Sequence, residues 1–290
     1  AYLTREIGMV AQALGARRHV VQYHWGGGTP SYLSPAQMRV LHQAVRQHFT
    51  FDAAAELALE VDPRVTTIEQ LETLRELGFT RLSLGVQDFD PAVQQAVNRV
   101  QGVEATRALV EHARQLGFGS INIDLIYGLP RQDSRSFATT IEQIIAIAPD
   151  RIAAYSFAHV PWIRAHQKWL RVDELPSPEG KLQLFLDARA RLLDAGYRAI
   201  GMDHFALPGD ELARAAASAT LHRNFMGYTT RPAPDQIGFG VSAIGDVAGA
   251  FAQNVKKLSA YYQAIDAGRL PIERGYALDA DDLVRREVVS

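Results

Sequence analysis

The residues able to do chemistry recur where short apolar runs give way to polar ones. His24-Trp25-Gly26-Gly27-Gly28-Thr29-Pro30 ends the first run, Glu60 and Asp62 the second, and Gln87 and Asp88 the third. Asp124 sits inside the fourth, ahead of Tyr127-Gly128-Leu129-Pro130, and Ala158-His159 and Asp203-His204 close the next two. Carboxylates and amides of this kind can hydrogen-bond the polar groups of a ligand. Each one singly also serves as a helix cap or turn former. Spaced about one strand plus one helix apart, they would share the C-terminal strand ends of a parallel α/β barrel, the face that carries its chemistry. Asp124 stands between Ile123 and Leu125. A buried carboxylate needs a partner, here either a ligand or a structural arginine.

The triple glycine is neither G-x-G-x-x-G nor a phosphate loop with Gly-Lys-Ser/Thr. It allows close backbone approach to a ligand, or simply a tight strand-to-helix turn. Nine histidines are present. None falls in His-Glu-x-x-His or His-x-His spacing, so no metal ligand is assigned.

The elements that must position these groups follow from periodicity. Strand-like runs lie at His19–Trp25, 56–61, 81–86, Ser120–Tyr127, 152–157 and 197–202, with a further candidate at 236–244. Helical spacing links Ile68, Leu71 and Leu74; Leu109, Val110, Ala113 and Leu116; and Phe137, Ile141, Ile144 and Ile145, the last set capped by Asp133 or Ser134. Gly78, Gly117 and Gly196 stop helices ahead of strands. Residues 175–178 read as a loop and the Ala-rich 214–219 as a helical surface. Strand then helix, repeated, predicts parallel βαβ units.

The 290 residues carry 30 basic and 32 acidic side chains, a net charge of -2, which argues against a nucleic-acid-binding surface. No apolar run approaches the roughly 18 residues of a membrane span. Residues 1–15 lack a secretory apolar core, so a cytoplasmic protein is expected. Zero cysteine excludes disulfides, thiolate nucleophiles and cysteine-held metal within these residues. The start at Ala1 and the stop at Ser290, inside a capped helical pattern, read as a piece of a longer protein.

Seven motifs together resemble a known family: His24-Trp-Gly-Gly-Gly-Thr-Pro-Ser31, Glu60-Val-Asp-Pro-Arg64, Arg81-Leu-Ser-Leu-Gly-Val-Gln-Asp-Phe89, Asn98-Arg99, Asn122-Ile-Asp-Leu-Ile-Tyr-Gly-Leu-Pro130, Gly201-Met-Asp-His-Phe205 and His222-Arg-Asn-Phe-Met-Gly-Tyr-Thr-Thr230. They resemble the oxygen-independent coproporphyrinogen III oxidases of the radical S-adenosylmethionine (SAM) superfamily. The early motifs are shared with a related haem-chaperone group. The last two favour the oxidases.

The resemblance implies an incomplete parallel (β/α)6-type barrel over 1–270, lacking its first strand and cluster loop, with 271–290 opening a helical domain. It implies oxidative decarboxylation of two coproporphyrinogen III propionates to vinyl groups, giving protoporphyrinogen IX in anaerobic haem biosynthesis. It implies up to two SAM molecules and a 4Fe–4S cluster held by a C-x-x-x-C-x-x-C motif outside this chain. This fragment alone would then be inactive. Gly27, Glu60 and Ile244 would hold the first SAM; Gly28, Thr29, Gln87, Arg99, Asp124 and Ala158 would line the second. Arg223, His204 and His222 are the basic candidates for substrate carboxylates. The implied partners are the porphyrinogen and an electron donor such as flavodoxin or ferredoxin, with the protein a monomer. The rival readings are the haem chaperone and a metal-dependent barrel hydrolase.

Overall fold

In the computed structural model, which describes residues 1–224 and 226–289, β-branched runs and capped helices alternate. In chain order the elements are α1 (Tyr2–Leu14), β1 (His19–Trp25), α2 (Pro35–His48), β2 (Thr50–Val61), α3 (Ile68–Glu76), β3 (Arg81–Gln87), α4 (Pro91–Ala96), α5 (Val103–Gln115), β4 (Ser120–Tyr127), α6 (Ser134–Ile147) and β5 (Arg151–Ser156). Then come α7 (Pro178–Asp194), β6 (Arg198–Gly201), β7 (His204–Ala206), α8 (Glu211–Ala217), β8 (His222–Asn224), β9 (Gly227–Thr229), β10 (Ile244–Val247), β11 (Ala250–Asn254), α9 (Leu258–Asp266), β12 (Ile272–Ala277) and α10 (Ala280–Val289). Among the described residues no helix is long and apolar enough to cross a membrane.

The helices start where the sequence supplies an oxygen for their first free N–H groups. Reciprocal side-chain and backbone bonds join Ser34 to Gln37, Thr67 to Gln70 and Asp133 to Ser136. Asp90, Ser177 and Asp210 cap α4, α7 and α8. Each such cap contributes about 1 kcal/mol. Gly78, Gly117 and Gly196 take positive φ just after α3, α5 and α7, as the stop signals predict.

The chain forms two compact units that interleave in sequence: 1–27, 33–57 and 220–290, and 28–32 with 58–219. In the second unit the strands run in the order β2-β3-β4-β5-β7-β6. From β2 to β5 the pairing is parallel, with Glu60 opposite Ser83, Ser83 opposite Asn122 and Asp124 opposite Ala153. Alternation sends Leu82, Leu84, Val86, Ile121, Ile123 and Leu125 to a fully buried face. The helix residues Leu71, Leu74, Val110, Phe137, Ile141 and Ile144 are buried as well. Burying such a side chain contributes about 1.5–3 kcal/mol. The other face of the strands carries Ser83, Gly85, Asn122 and Asp124, only half-buried. Among the described residues, backbone hydrogen bonds do not close this sheet into a ring.

The structure corrects four sequence expectations. The run 197–202 does not lie beside β5 as a parallel strand. It becomes β6, while β7 inserts antiparallel between β6 and β5, because Met202 and Asp203 turn the chain back. The run 236–244 is not a strand: Gln236 makes an isolated bridge to Asp246, and the strand begins at Ile244. Ile68 is exposed, since it occupies the first helical position, outside the buried stripe. Finally, α8 starts earlier than 214, and buries Leu212, Ala213 and Ala215 instead of being a surface helix.

The first unit gathers Ile7, Ala11, Ala44, Val45 and Phe49 into a core, with Val20, Tyr23, Ile237 and Phe239 against it. Its sheet β10-β11-β12 is antiparallel. Glu6, on α1, is buried and accepts hydrogen bonds from Gly240 N (2.8 Å), Asn254 Nδ2 (2.6 Å) and Tyr261 Oη (2.6 Å). These three donors stand in for water around a charge that burial would otherwise make costly.

Candidate active site

The polar strand ends of the second unit build one connected site. Asp124 Oδ2 accepts from Ser83 Oγ at 2.9 Å, and Oδ1 accepts from Asn122 Nδ2 at 2.8 Å. Asn122 Nδ2 also donates to Ser83 Oγ, at 2.8 Å. The three residues share a face because positions 122 and 124 differ by two and because Ser83 pairs with Asn122. No arginine forms an ion pair with Asp124 among the described residues; its direct partners are neutral. Burial pushes its carboxyl up to about 6, against the two hydrogen bonds, and the nearby Glu60 adds to the rise. Tyr155 packs edge-on against His204 at 5.8 Å between ring centres, and its hydroxyl is raised by burial and by Asp124, Asp203 and Glu60. His204 Nδ1 lies 2.8 Å from Asp203 Oδ1.

A second cluster stands at the end of β2. Asp62 Oδ1 accepts from Arg64 Nε at 3.0 Å and Oδ2 from Arg64 Nη2 at 2.7 Å. Burial opposes its charge, but the Arg64 hydrogen bonds and the Arg99 charge outweigh that, holding the carboxyl below its ordinary range. Asp62 N donates to Ser31 Oγ at 3.2 Å, and Gln70 Nε2 donates to Ser31 O at 2.7 Å. The end of the glycine-rich loop is thereby tied to β2 and α3. Arg99 Nη2 donates to Gly85 O and approaches Asp62 Oδ1 at 3.4 Å. Among the described residues its buried Nε has no partner. Burial lowers the pKa of Arg99, and Asp62 opposes that.

Gly85 leaves room for this guanidinium. A Cβ there would stand 3.1 Å from Arg99 Nη2 and 3.1 Å from Gln87 Nε2. Gln87 itself has φ 70, beside a register shift between Gly85 and Gln87. Such a left-handed non-glycine residue costs of order 1–3 kcal/mol and tends to collect at functional sites.

Of the residues singled out in the sequence, Glu60, Gln87, Arg99, Asp124 and His204 fall in this unit, on the strands β2 to β4 and β7 or on the connection after α4. Gly28 and Thr29 lead into the pinned Ser31, and Ala158 follows β5. A Cβ added at Gly27 (φ 71) or Gly28 (φ 138) would meet nothing within 4 Å, so these two positions border open space. Gly27, Ile244, His222 and Arg223 belong to the other unit, where His222 and Arg223 are exposed on β8. Sequence reasoning alone gives Ser83 and Arg64 no role. A signal for each exists: Ser83 sits two residues before Gly85 on the same face, and Arg64 follows Asp62 by two. Among the described residues no cluster of three or more His, Asp or Glu is arranged to hold a metal ion.

These groups suit a ligand that carries both a carboxylate and a cationic or hydroxyl group. An unpartnered guanidinium nitrogen fits an amino-acid carboxylate, and a buried carboxylate with only neutral partners fits an ammonium, a sulfonium or a ribose diol. They do not fit an iron–sulfur cluster, because the chain has no cysteine to supply a thiolate.

The model of the radical SAM superfamily matches residues 1–144 of this chain. The chain is similar to the oxygen-independent coproporphyrinogen III oxidases. It is 50% identical over 276 residues to the enzyme of Escherichia coli, covering 95% of this chain and 60% of that protein. It is 48% identical over 291 residues to that of Pseudomonas aeruginosa, covering 100% and 63%. The solved coproporphyrinogen III oxidase of Escherichia coli, described as a radical SAM enzyme, matches with a TM-score of 0.96 at 49% identity, over 99% of this chain and 66% of that one. The chain thus spans about three fifths of the length of these curated relatives.

Proposed function

We propose that this chain is the SAM-binding core of an oxygen-independent coproporphyrinogen III oxidase, acting in the cytoplasm on coproporphyrinogen III. The observation that carries the reading is the paired site of Arg99, with its buried free Nε, and Asp124, with only neutral partners, in a chain about half identical to named oxidases.

Bound SAM supplies, on one-electron reduction, the hydrogen-abstracting species that starts oxidative loss of carbon dioxide from a propionate. The residues of this chain bind and orient. Arg99 holds an amino-acid carboxylate through Nε and Nη, while Asp62 and Arg64 fix its fork. Asp124, once ionised, accepts from an ammonium or ribose hydroxyl, and Ser83 and Asn122 hold its two oxygens apart. Glu60 receives an ammonium or hydroxyl of the first SAM. Gly28, Thr29, Gln87 and Ala158 line the second.

On this reading the 4Fe–4S cluster is held by cysteines outside these residues, and the electron donor is a small redox protein such as flavodoxin or ferredoxin. The test is anaerobic turnover of coproporphyrinogen III by the whole protein, with deoxyadenosine and vinyl formation measured together. Tight haem binding without porphyrinogen turnover would instead place the chain with the chaperones.

A further inference from the structure

One segment of the second unit takes no part in the site around Asp124 and Arg99 beyond its first residue, Ala158, and runs from there, after β5, to Leu175. Gln167, buried, pins it back: Val160 N donates to Gln167 Oε1 at 2.6 Å, and Gln167 Nε2 donates to Ala158 O at 3.0 Å. Farther along, Arg131 grips Glu174 with two side-chain bonds, at 2.7 Å and 3.1 Å, and a backbone bond at 2.8 Å. Between these two clamps the apolar side chains face outward. Trp169 is 88% exposed, Trp162 77% and Ile163 70%. Exposed tryptophans on a held backbone are unusual unless something covers them.

The charges beside them are of one sign where it matters. Arg171 is taken up by Asp173 at 2.7 Å and approaches Glu174. Arg164 and Lys168 are exposed and, among the described residues, have no carboxylate partner. Two flat apolar rings flanked by two available cations complement a ligand that is both a ring system and a polycarboxylate. The proposed activity supplies one: coproporphyrinogen has four pyrroles and four propionates, while Glu60, Asp124 and Asp203 offer its carboxylates nothing.

We propose that Trp162, Arg164, Lys168 and Trp169 form a binding site for the tetracarboxylate tetrapyrrole, with its pyrroles on the indoles and its outer propionates on the two cations. This rests on the oxidase reading and deepens it by naming the residues that receive the substrate. The segment leaves the strand that bears Tyr155, itself beside Asp124 and His204. Because the backbone is clamped at Gln167 and Glu174, the ligand need not order a free loop, which limits the entropy lost on binding.

The test uses coproporphyrin III, the stable oxidised ring with the same four carboxylates, titrated into the 290-residue chain and followed by tryptophan quenching. The expected result is saturable binding that weakens at least tenfold in the double variant Arg164→Glu, Lys168→Glu, and several-fold in Trp169→Ala, with unchanged melting temperatures because all three side chains are exposed. The tetramethyl ester of the same ring should bind weakly to wild type and equally to the charge variant. Equal affinity of wild type and charge variant for coproporphyrin III overturns the site while leaving the oxidase reading intact. So does a charge variant that loses only its response to an acidic redox protein. No binding by wild type also overturns it, and porphyrinogen turnover by the whole protein then decides the oxidase reading separately.

Discussion

Arg99 Nη2 stands 3.4 Å from Asp62 Oδ1, while Arg64 holds both oxygens of the same carboxylate. One buried anion therefore serves two cations, and the one it grips more loosely is the one with a nitrogen left over. Asp62 aims the Arg99 guanidinium and does not use up its Nε.

Asp62→Asn should lower stability by about 1–3 kcal/mol, the scale for weakening buried charge-assisted hydrogen bonds. The depressed Asp62 pKa contributes stability that is present above the unfolded carboxylate range and is lost as pH falls through the folded value. The difference between wild type and variant in urea unfolding should therefore shrink below about pH 4. An unchanged difference from about pH 7 down to about pH 3 would refute the charge argument.

Asp124 has the opposite sign. It keeps its proton to about pH 6 when folded and loses it near pH 4 when unfolded. Its contribution is full below about pH 4 and falls as pH rises through about 6. Asp124→Asn should remove that loss, so the variant gains on wild type by on the order of 2 kcal/mol between about pH 4 and 7.5. Its affinity for SAM at about pH 7.5, read by equilibrium dialysis, should fall about tenfold, the loss of one charge-assisted contact.

Gly85→Ala places a methyl 3.1 Å from Arg99 Nη2 and from Gln87 Nε2, both ends of flexible side chains. The fold should survive, with stability within about 1 kcal/mol of wild type. SAM binding should weaken several-fold, because the guanidinium must shift by a few tenths of an ångström. Wild-type affinity in this variant would show that Arg99 does not meet the ligand there.

Glu6→Ala strands three donors, Gly240 N, Asn254 Nδ2 and Tyr261 Oη, in a buried place. The expected loss is about 3–5 kcal/mol, and chemical denaturation reads it directly. Glu6→Gln should cost less, since its remaining carbonyl oxygen still accepts from part of the set.

The parallel strands are legible in the sequence because their period is two and unbroken: Leu82, Leu84 and Val86, then Ile121, Ile123 and Leu125, are all buried. Helix ends are legible for the same local reason, as Asp133 and the glycines act within one turn. The β6–β7 hairpin is not, because Asp203-His204 at a run's end looks the same whether the next strand continues the βα rhythm or folds straight back. Helix α1 gives little local signal, because its start at Ala1 has no side-chain cap. Among the candidate residues, Glu60, Gln87 and Asp124 can be singled out from spacing. The tie between Arg99 and Asp62 cannot: positions 62 and 99 meet only after β2 and β3 pair. Nor can the two units be read, since residues 28–32 join one and their neighbours the other with no change in composition.

The sheet of the second unit stops at β6, four residues long, antiparallel to its neighbour and offset in register between Ala199 and Gly201. A row of unpaired backbone groups that short and irregular is a poor template for another chain to extend. The hairpin that breaks the parallel rhythm thus acts as a stop against edge-to-edge aggregation. A variant that straightened and lengthened β6 would be expected to trade solubility for regularity.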